Sequence, residues 1–204
     1  MSKRFLFIIV IATLSLASAT QAQDFKAGLF AGAVPSQVDG DDQSGFHKVG
    51  ITAGVFVNRS LKTGMLQGEL AFTTKGSKPT NNAGNFPVSI SLSYIDLSLY
   101  YVIGVWNNLY LRAGLVPSVL VSSSQSGAGI AITANEESSP FRAFSTELSA
   151  GLDYRFSDNW SVNIAYNYSA FSIYKGDLTF FGLRPAETNA HYNNYVKLTL
   201  AYQF

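Results

Sequence analysis

Apolar residues recur at every second position in eight separate stretches of this chain, the period of a β-strand with one greasy face. The stretch 24–34 puts Phe25, Ala27, Leu29, Ala31 and Ala33 in phase, and 48–58 does the same with Val49, Ile51, Ala53, Val55 and Val57. In 64–75, Leu66, Leu70 and Phe72 oppose Gln67, Glu69, Thr73 and Lys75. In 94–104, Ile95, Leu97, Leu99, Tyr101 and Ile103 oppose Asp96 and Ser98. The stretch 109–122 sets Leu109, Leu111, Ala113 and Leu115 against Arg112. Next, 143–156 sets Phe144, Leu148, Leu152, Tyr154 and Phe156 against Glu147, Asp153 and Arg155. Finally, 160–169 carries Trp160, Val162, Ile164, Tyr166 and Tyr168, and 196–204 alternates Val196, Leu198, Leu200, Tyr202 and Phe204 with Lys197 and Gln203.

The connections alternate in length. Tight turns (RSLKT, VWNN, SDN) follow the second, fourth and sixth strands, while polar Gly-, Ser-, Asn- and Pro-bearing loops at 35–47, 76–89, 123–142 and 173–191 follow the four odd ones. The pattern predicts an up-and-down meander with its long loops at one end.

Charge decides what surrounds it. Lys26, Lys48, Glu69, Lys75, Asp96, Arg112, Glu147, Asp153, Arg155 and Lys197 all fall on the face opposite the apolar series. A Lys or Arg facing lipid at mid-bilayer costs roughly 2–4 kcal/mol, so a lipid-facing surface would exclude them. A closed barrel also leaves no backbone group unpaired in hydrocarbon. The expected fold is therefore all-β, an eight-stranded antiparallel up-and-down transmembrane β-barrel. A water-soluble barrel of the lipocalin sort, with the apolar face inside, is the alternative. Against it stand the aromatics Tyr101, Tyr154, Phe156, Trp160, Tyr202 and Phe204 near the short turns, where an interfacial girdle belongs. The small residues Gly28, Gly32, Gly50, Gly54, Gly114, Ser149 and Gly151 on the charged face suit a crowded interior.

The first residues change the picture of where the chain goes. A basic start (MSKR), an apolar run from Phe5 to Leu16 and the small residues of ASATQA have the layout of a secretory signal peptide. Residues 1–22 are the expected leader and 23–204 the barrel domain. The chain has no cysteine, which leaves neither a lipidated cysteine nor a disulfide, and export without disulfides suits a bacterial envelope. Net charge is +1 and no basic run tracks a phosphate backbone, so nucleic-acid binding is set aside.

The runs GVFVNRSLKTGMLQGELAFTTKGSK (54–78), YIDLSLYYVIGVWNNLYLRAGLVPSVLVS (94–122) and LDYRFSDNWSVNIAYNYS (152–169), with the aromatic last strand, resemble the PorT-like outer-membrane β-barrel proteins. These have the eight-stranded architecture of OmpA- and OmpX-type barrels, and the resemblance covers most of 23–204. It implies that the strand carrying Leu198, Leu200, Tyr202 and Phe204 is the signal read by the barrel-assembly machinery. It also implies that this strand closes against the first, with Phe204 at the inner membrane–water boundary. Two departures occur. Ser98 stands where the fourth strand of the family carries a proline, and Val88, Ile90 and Leu92 share parity with Asp96, which calls for a bulge or an extension beyond the bilayer.

An eight-stranded barrel is just wide enough for side chains to fill, and Phe30, Phe56, Tyr100, Tyr110, Arg112 and Tyr195 all point inward, which argues against a wide pore. The expected site is a lumen charge network of Glu69, Asp96, Arg112, Glu147, Asp153, Arg155 and Lys197, with Arg112 meeting Glu69, Glu147 or Asp153. Unpaired buried charge costs several kcal/mol, so pairing is the expected role, with a proton or ion path as the alternative. Lipid-modifying chemistry would need His47 or His191 at the long-loop end with a serine nucleophile, and no spacing fixes such a set. The loop DGDDQSG lacks the glycine and terminal acid of an EF-hand. No cofactor or metal site is expected. The expectation is a non-enzymatic envelope barrel whose partners are outer-membrane lipids, lipopolysaccharide, the assembly machinery and a protein at the long loops, above all at SSSQSGAGIAITANEESS. A binder of a small molecule or lipid at the lumen mouth is the second reading.

Overall fold

The alternation writes itself into strands. A computed structural model describes residues 25–40, 45–79, 88–127, 130–135, 139–175 and 190–204. The expected leader 1–22 lies outside them, as do Asp41, Asp42, Glu136 and Glu137 of the acidic loops. Nine strands and no helix occur among the described residues: β1 (Phe25–Asp39), β2 (Lys48–Leu61), β3 (Gly64–Ser77), β4 (Val88–Trp106), β5 (Leu109–Gly127), β6 (Ile130–Asn135), β7 (Phe144–Arg155), β8 (Trp160–Ser169) and β9 (Tyr192–Gln203). Each of the barrel strands pairs antiparallel with its neighbours around the ring β1-β2-β3-β4-β5-β7-β8-β9, and β9 returns to β1. Closure runs from Asp39↔Tyr192 to Gly28↔Gln203, and the Phe204 amide donates to the Ala27 carbonyl at 2.8 Å. The eight-stranded barrel read from the sequence is the fold.

Its faces are oriented as lipid demands. Leu111, Leu148 and Leu198 are exposed on the outer wall, whereas Arg112, Glu147 and Lys197 are buried within, so the soluble inside-out barrel is overturned. Two inward glycines make room for rings. A Cβ on Gly28 would stand 2.4 Å from the Phe56 ring, and one on Gly114 would meet Tyr100 at 2.8 Å. An eight-staved lumen holds these aromatics only where the facing residue has no side chain.

Four boundaries differ from the reading of the sequence. Strand β1 continues past Pro35 to Asp39; its ladder to β9 skips Val34 and Pro35, where proline has no N–H to give. Strand β9 begins at Tyr192 rather than Val196. Strand β6 forms a hairpin with the far half of β5, from Ser122↔Asn135 to Gly127↔Ile130, inside what read as a Gly/Ser loop. The fourth difference is the most informative. Strands β4 and β5 run for 19 residues each, about twice what a tilted spanning strand needs.

In β4 the parity never changes. Ile90, Leu92, Tyr94, Asp96, Ser98 and Tyr100 all point inward and are buried, so it is the chemistry that inverts. Just below Tyr94 the inward positions are the polar Asp96 and Ser98 and the exterior is apolar. Above it Ile90 and Leu92 point in, and Ser89, Ser91 and Ser93 point out. The bulge sits on β5, where Val121 has no partner between the pairs Ser93↔Ser122 and Tyr94↔Leu120. It lets Leu120 and Ser123 both point inward. One pair of strands thus passes from lipid into water at this level.

Candidate functional site

The lumen is built in layers. At the loop end Val38, Ile90, Leu92, Tyr94, Leu120, Phe141 and Ile173 form an apolar plug. Segments 139–143 and 170–175 complete it by strand-like contacts: Arg142 donates to the Ile173 carbonyl at 2.7 Å, and Lys175 to the Pro140 carbonyl at 2.9 Å. Sequence reasoning missed the plug because Phe141 and Ile173 sit beyond any alternating run.

Beneath it Lys75 and Glu147, each fully buried, pair at 2.8 Å. Glu147 Oε1 also accepts from Ser145 Oγ at 2.7 Å and Asn193 Nδ2 at 3.3 Å, while its Oε2 accepts from Ser118 Oγ at 3.0 Å. The Lys75 ammonium lies 4.3 Å from the Tyr94 ring centre and 4.6 Å from that of Tyr195, two π faces that partly replace its lost hydration.

A second cluster occupies the next level. Glu69 Oε1 accepts from Arg112 Nη2 at 2.5 Å and from Gln67 Nε2 at 2.9 Å, and Oε2 accepts from Lys197 Nζ at 2.9 Å. Arg112 Nη1 reaches Asp153 Oδ1 at 3.5 Å, and that oxygen also accepts from Asn163 Nδ2 at 2.7 Å. The Arg112 guanidinium stacks 3.6 Å from the Tyr100 ring centre. Glu69 thus joins β3 to β5 and β9, and the Lys75–Glu147 pair above joins β3 to β7, none of which neighbours β3 in the sheet. They are braces across the lumen, and an ion pair so enclosed is strong only when its remaining lone pairs are satisfied; here Glu69 takes a further bond from Gln67 and Asp153 one from Asn163.

The seven residues singled out in the sequence therefore divide. Glu69, Arg112, Asp153 and Lys197 meet. Glu147 pairs instead with Lys75. Asp96 is buried on the same inward face, and its Oδ1 has no hydrogen-bond partner among the described residues. Arg155 stacks 4.1 Å over Tyr110 at the short-turn mouth and points an N–H at Met65 Sδ, 3.3 Å away. Lys26 lies past the last β1–β9 pair, and it is exposed. At the turn end Phe30, Phe56, Asn58, Arg112, Asp153 and Asn163 line a recess of about 30 Å³, room for one or two waters.

His47 is exposed ahead of β2, and His191 stacks on Tyr174 with ring centres 5.1 Å apart. Leu198, Leu200 and Phe204 face outward, and Tyr202 meets Trp160 and Phe204 edge-on at 5.0 and 5.6 Å.

Comparison with curated proteins finds no match. Among solved structures the chain is similar to Ail, the attachment invasion locus protein of Yersinia pestis, at 15% identity and a TM-score of 0.53, over 89% of this chain and 100% of that one. It is also similar to Neisserial surface protein A at 13% identity and a TM-score of 0.53, over 88% of this chain and 97% of that one. Both likenesses are of fold. Residues 6–204 match the family described as the outer membrane protein beta-barrel domain, and with an apolar outer wall around a closed, charge-braced lumen, the chain belongs to that family.

Proposed function

We propose that this protein is a non-enzymatic barrel of the outer membrane, of the PorT-like kind, that serves as a rigid platform for a partner at its loop-bearing end. The carrying observation is the contrast between the two ends. On the short-turn side the lumen offers a recess of about 30 Å³, and the larger hollow of about 340 Å³ there is an open one at the turn Trp106–Leu109 beside Tyr154. On the loop side β4, β5 and β6 rise past the last lipid-facing residues as a three-stranded sheet with serines outward. Among the described residues β6 pairs only with β5, so one edge offers six residues of backbone to an extended segment of another protein. In this reading residues 1–22 are the leader removed on export. The outward series Leu198, Leu200, Tyr202 and Phe204 is what the assembly machinery reads, and lipopolysaccharide surrounds the loop end. The lumen charges Glu69, Asp96, Arg112, Glu147, Asp153, Arg155 and Lys197 hold shape rather than conduct.

Chemical crosslinking in intact cells, followed by co-purification, tests the platform. Deleting 128–137 should leave a heat-modifiable barrel in the outer membrane and remove the crosslinked partner. Retention of the partner by the deleted form would move the contact elsewhere. A lipid-release assay on the native protein, His47→Ala and His191→Ala checks the absence of enzyme activity; release that either variant abolishes would overturn it.

A further inference from the structure

Charge inside the lumen can be summed level by level. Around Glu69 two acids, Glu69 and Asp153, meet two cations, Arg112 and Lys197, and the sum is zero. Around Glu147 it does not close. Lys75 is spent on Glu147 at 2.8 Å, and among the described residues Asp96 enters no ion pair. Yet Asp96 is only 1% exposed, and it belongs to the same level. It stands opposite Ser118 in the β4–β5 ladder, and Ser118 stands opposite Ser145 in the β5–β7 ladder. Both serine hydroxyls donate to Glu147, at 3.0 and 2.7 Å, and none donates to Asp96 Oδ1. Two carboxylates thus share one ammonium. A carboxylate so enclosed is too costly to keep ionised without a counter-charge.

The atoms around Asp96 say what that charge is. Tyr94 and Ser98 are the next inward residues on either side of it along β4, and Ser149 follows Glu147 on the inward face of β7. Asn193 reaches Glu147 through its Nδ2. Each of these four also carries a buried oxygen with no hydrogen-bond partner among the described residues. A proton on Asp96 would serve one such oxygen, whereas a metal ion gathers several. Ser118, its proton directed at Glu147, has lone pairs to offer a cation as well. Donors that are all oxygen suit a hard cation. One positive charge closes the sum and two would overshoot it. Nor do the described residues hold a group of three acids, histidines or cysteines able to grip a metal ion of higher charge.

We propose that Asp96 holds a single alkali-metal ion inside the barrel, with oxygens of Tyr94, Ser98, Ser118 and Asn193 contributing to its shell. The ion is a structural counter-charge, enclosed between the plug and the Glu69 level, and it enters as the barrel folds. The site is independent of what the loop end engages.

The test is urea unfolding of the full barrel in lipid vesicles, with sodium or potassium chloride exchanged at constant ionic strength for N-methylglucamine chloride. Above the dissociation constant, each tenfold rise in the alkali ion should raise the folding equilibrium constant about tenfold. Asp96→Asn should flatten that dependence, and Asp158→Asn, at an exposed turn carboxylate, should leave it intact. Crystals of the barrel refolded in thallium(I), a heavy surrogate for potassium, should show an anomalous peak beside Asp96 that Asp96→Asn lacks. If Asp96→Asn does not fold, the wild-type dependence and the thallium peak decide between them. An equal slope in Asp96→Asn, or a wild type with neither slope nor peak, would overturn the site. An infrared band of a protonated carboxyl that Asp96→Asn removes would make a proton the counter-charge and overturn the ion. An equal slope with magnesium chloride would overturn its being monovalent.

Discussion

Lys75 and Glu147 carry the most exacting chemistry in the molecule, because neither has any contact with solvent. Removing one partner leaves the other charge in a site built for a pair, at a cost of about 3–5 kcal/mol. Lys75→Met should therefore lower the unfolding free energy of the folded barrel in vesicles, read from urea titration, by that amount. Adding Glu147→Gln to the same chain should restore most of it, since a neutral amide can accept from one of Ser118 and Ser145 and donate to the hydroxyl oxygen of the other. A loss in Lys75→Met of under 1 kcal/mol would mean that water reaches the pair. The inward direction of these residues was legible in the alternation, but their partners were not. Which charges meet across the lumen depends on the stagger between strands two or more places apart, and no local pattern records it. Hence Arg112 reached two of its three candidate acids, and Lys75 took the third.

At the scale of the element, β4 shows both what periodicity reveals and where it fails. From Ile95 to Ile103 the alternate apolar positions face lipid and the reading was direct. Above Tyr94 the same parity carries Ile90 and Leu92 into the plug, and a rule equating apolar with outward reads this as a change of phase. The strand did not shift; its solvent did. An outward substitution should then depend on height alone. Leu97→Arg should destabilise the barrel by about 2–4 kcal/mol, and Ser91→Arg, on the same face, by no more than about 0.5 kcal/mol. Paired unfolding titrations in one lipid would decide; equal costs would place both residues in one environment. Strand β6 was illegible for a different reason. Its six residues lie within a run of Gly and Ser, and its pairing comes from the β5 extension beside it rather than from an amphipathic face of its own.

For the whole molecule, the plug and the two ionic levels stand in series along one axis. They predict that the inserted protein passes no sustained current in a planar bilayer at physiological salt, and steps of porin size would show a path around them. The order of the strands has a temporal side as well. β1 finds β9 only after some 150 intervening residues have been made, and Tyr192–Gln203 is the stave that completes the ring. A chain ending at His191 should be cleared by proteases rather than reach the membrane, as immunoblots of fractionated cells would reveal; its stable accumulation in the membrane would show that seven staves suffice. Until that last stave arrives the sheet has two raw margins, each able to capture a stranger. The architecture thus works as proofreading, because an interrupted copy cannot pass for a finished one.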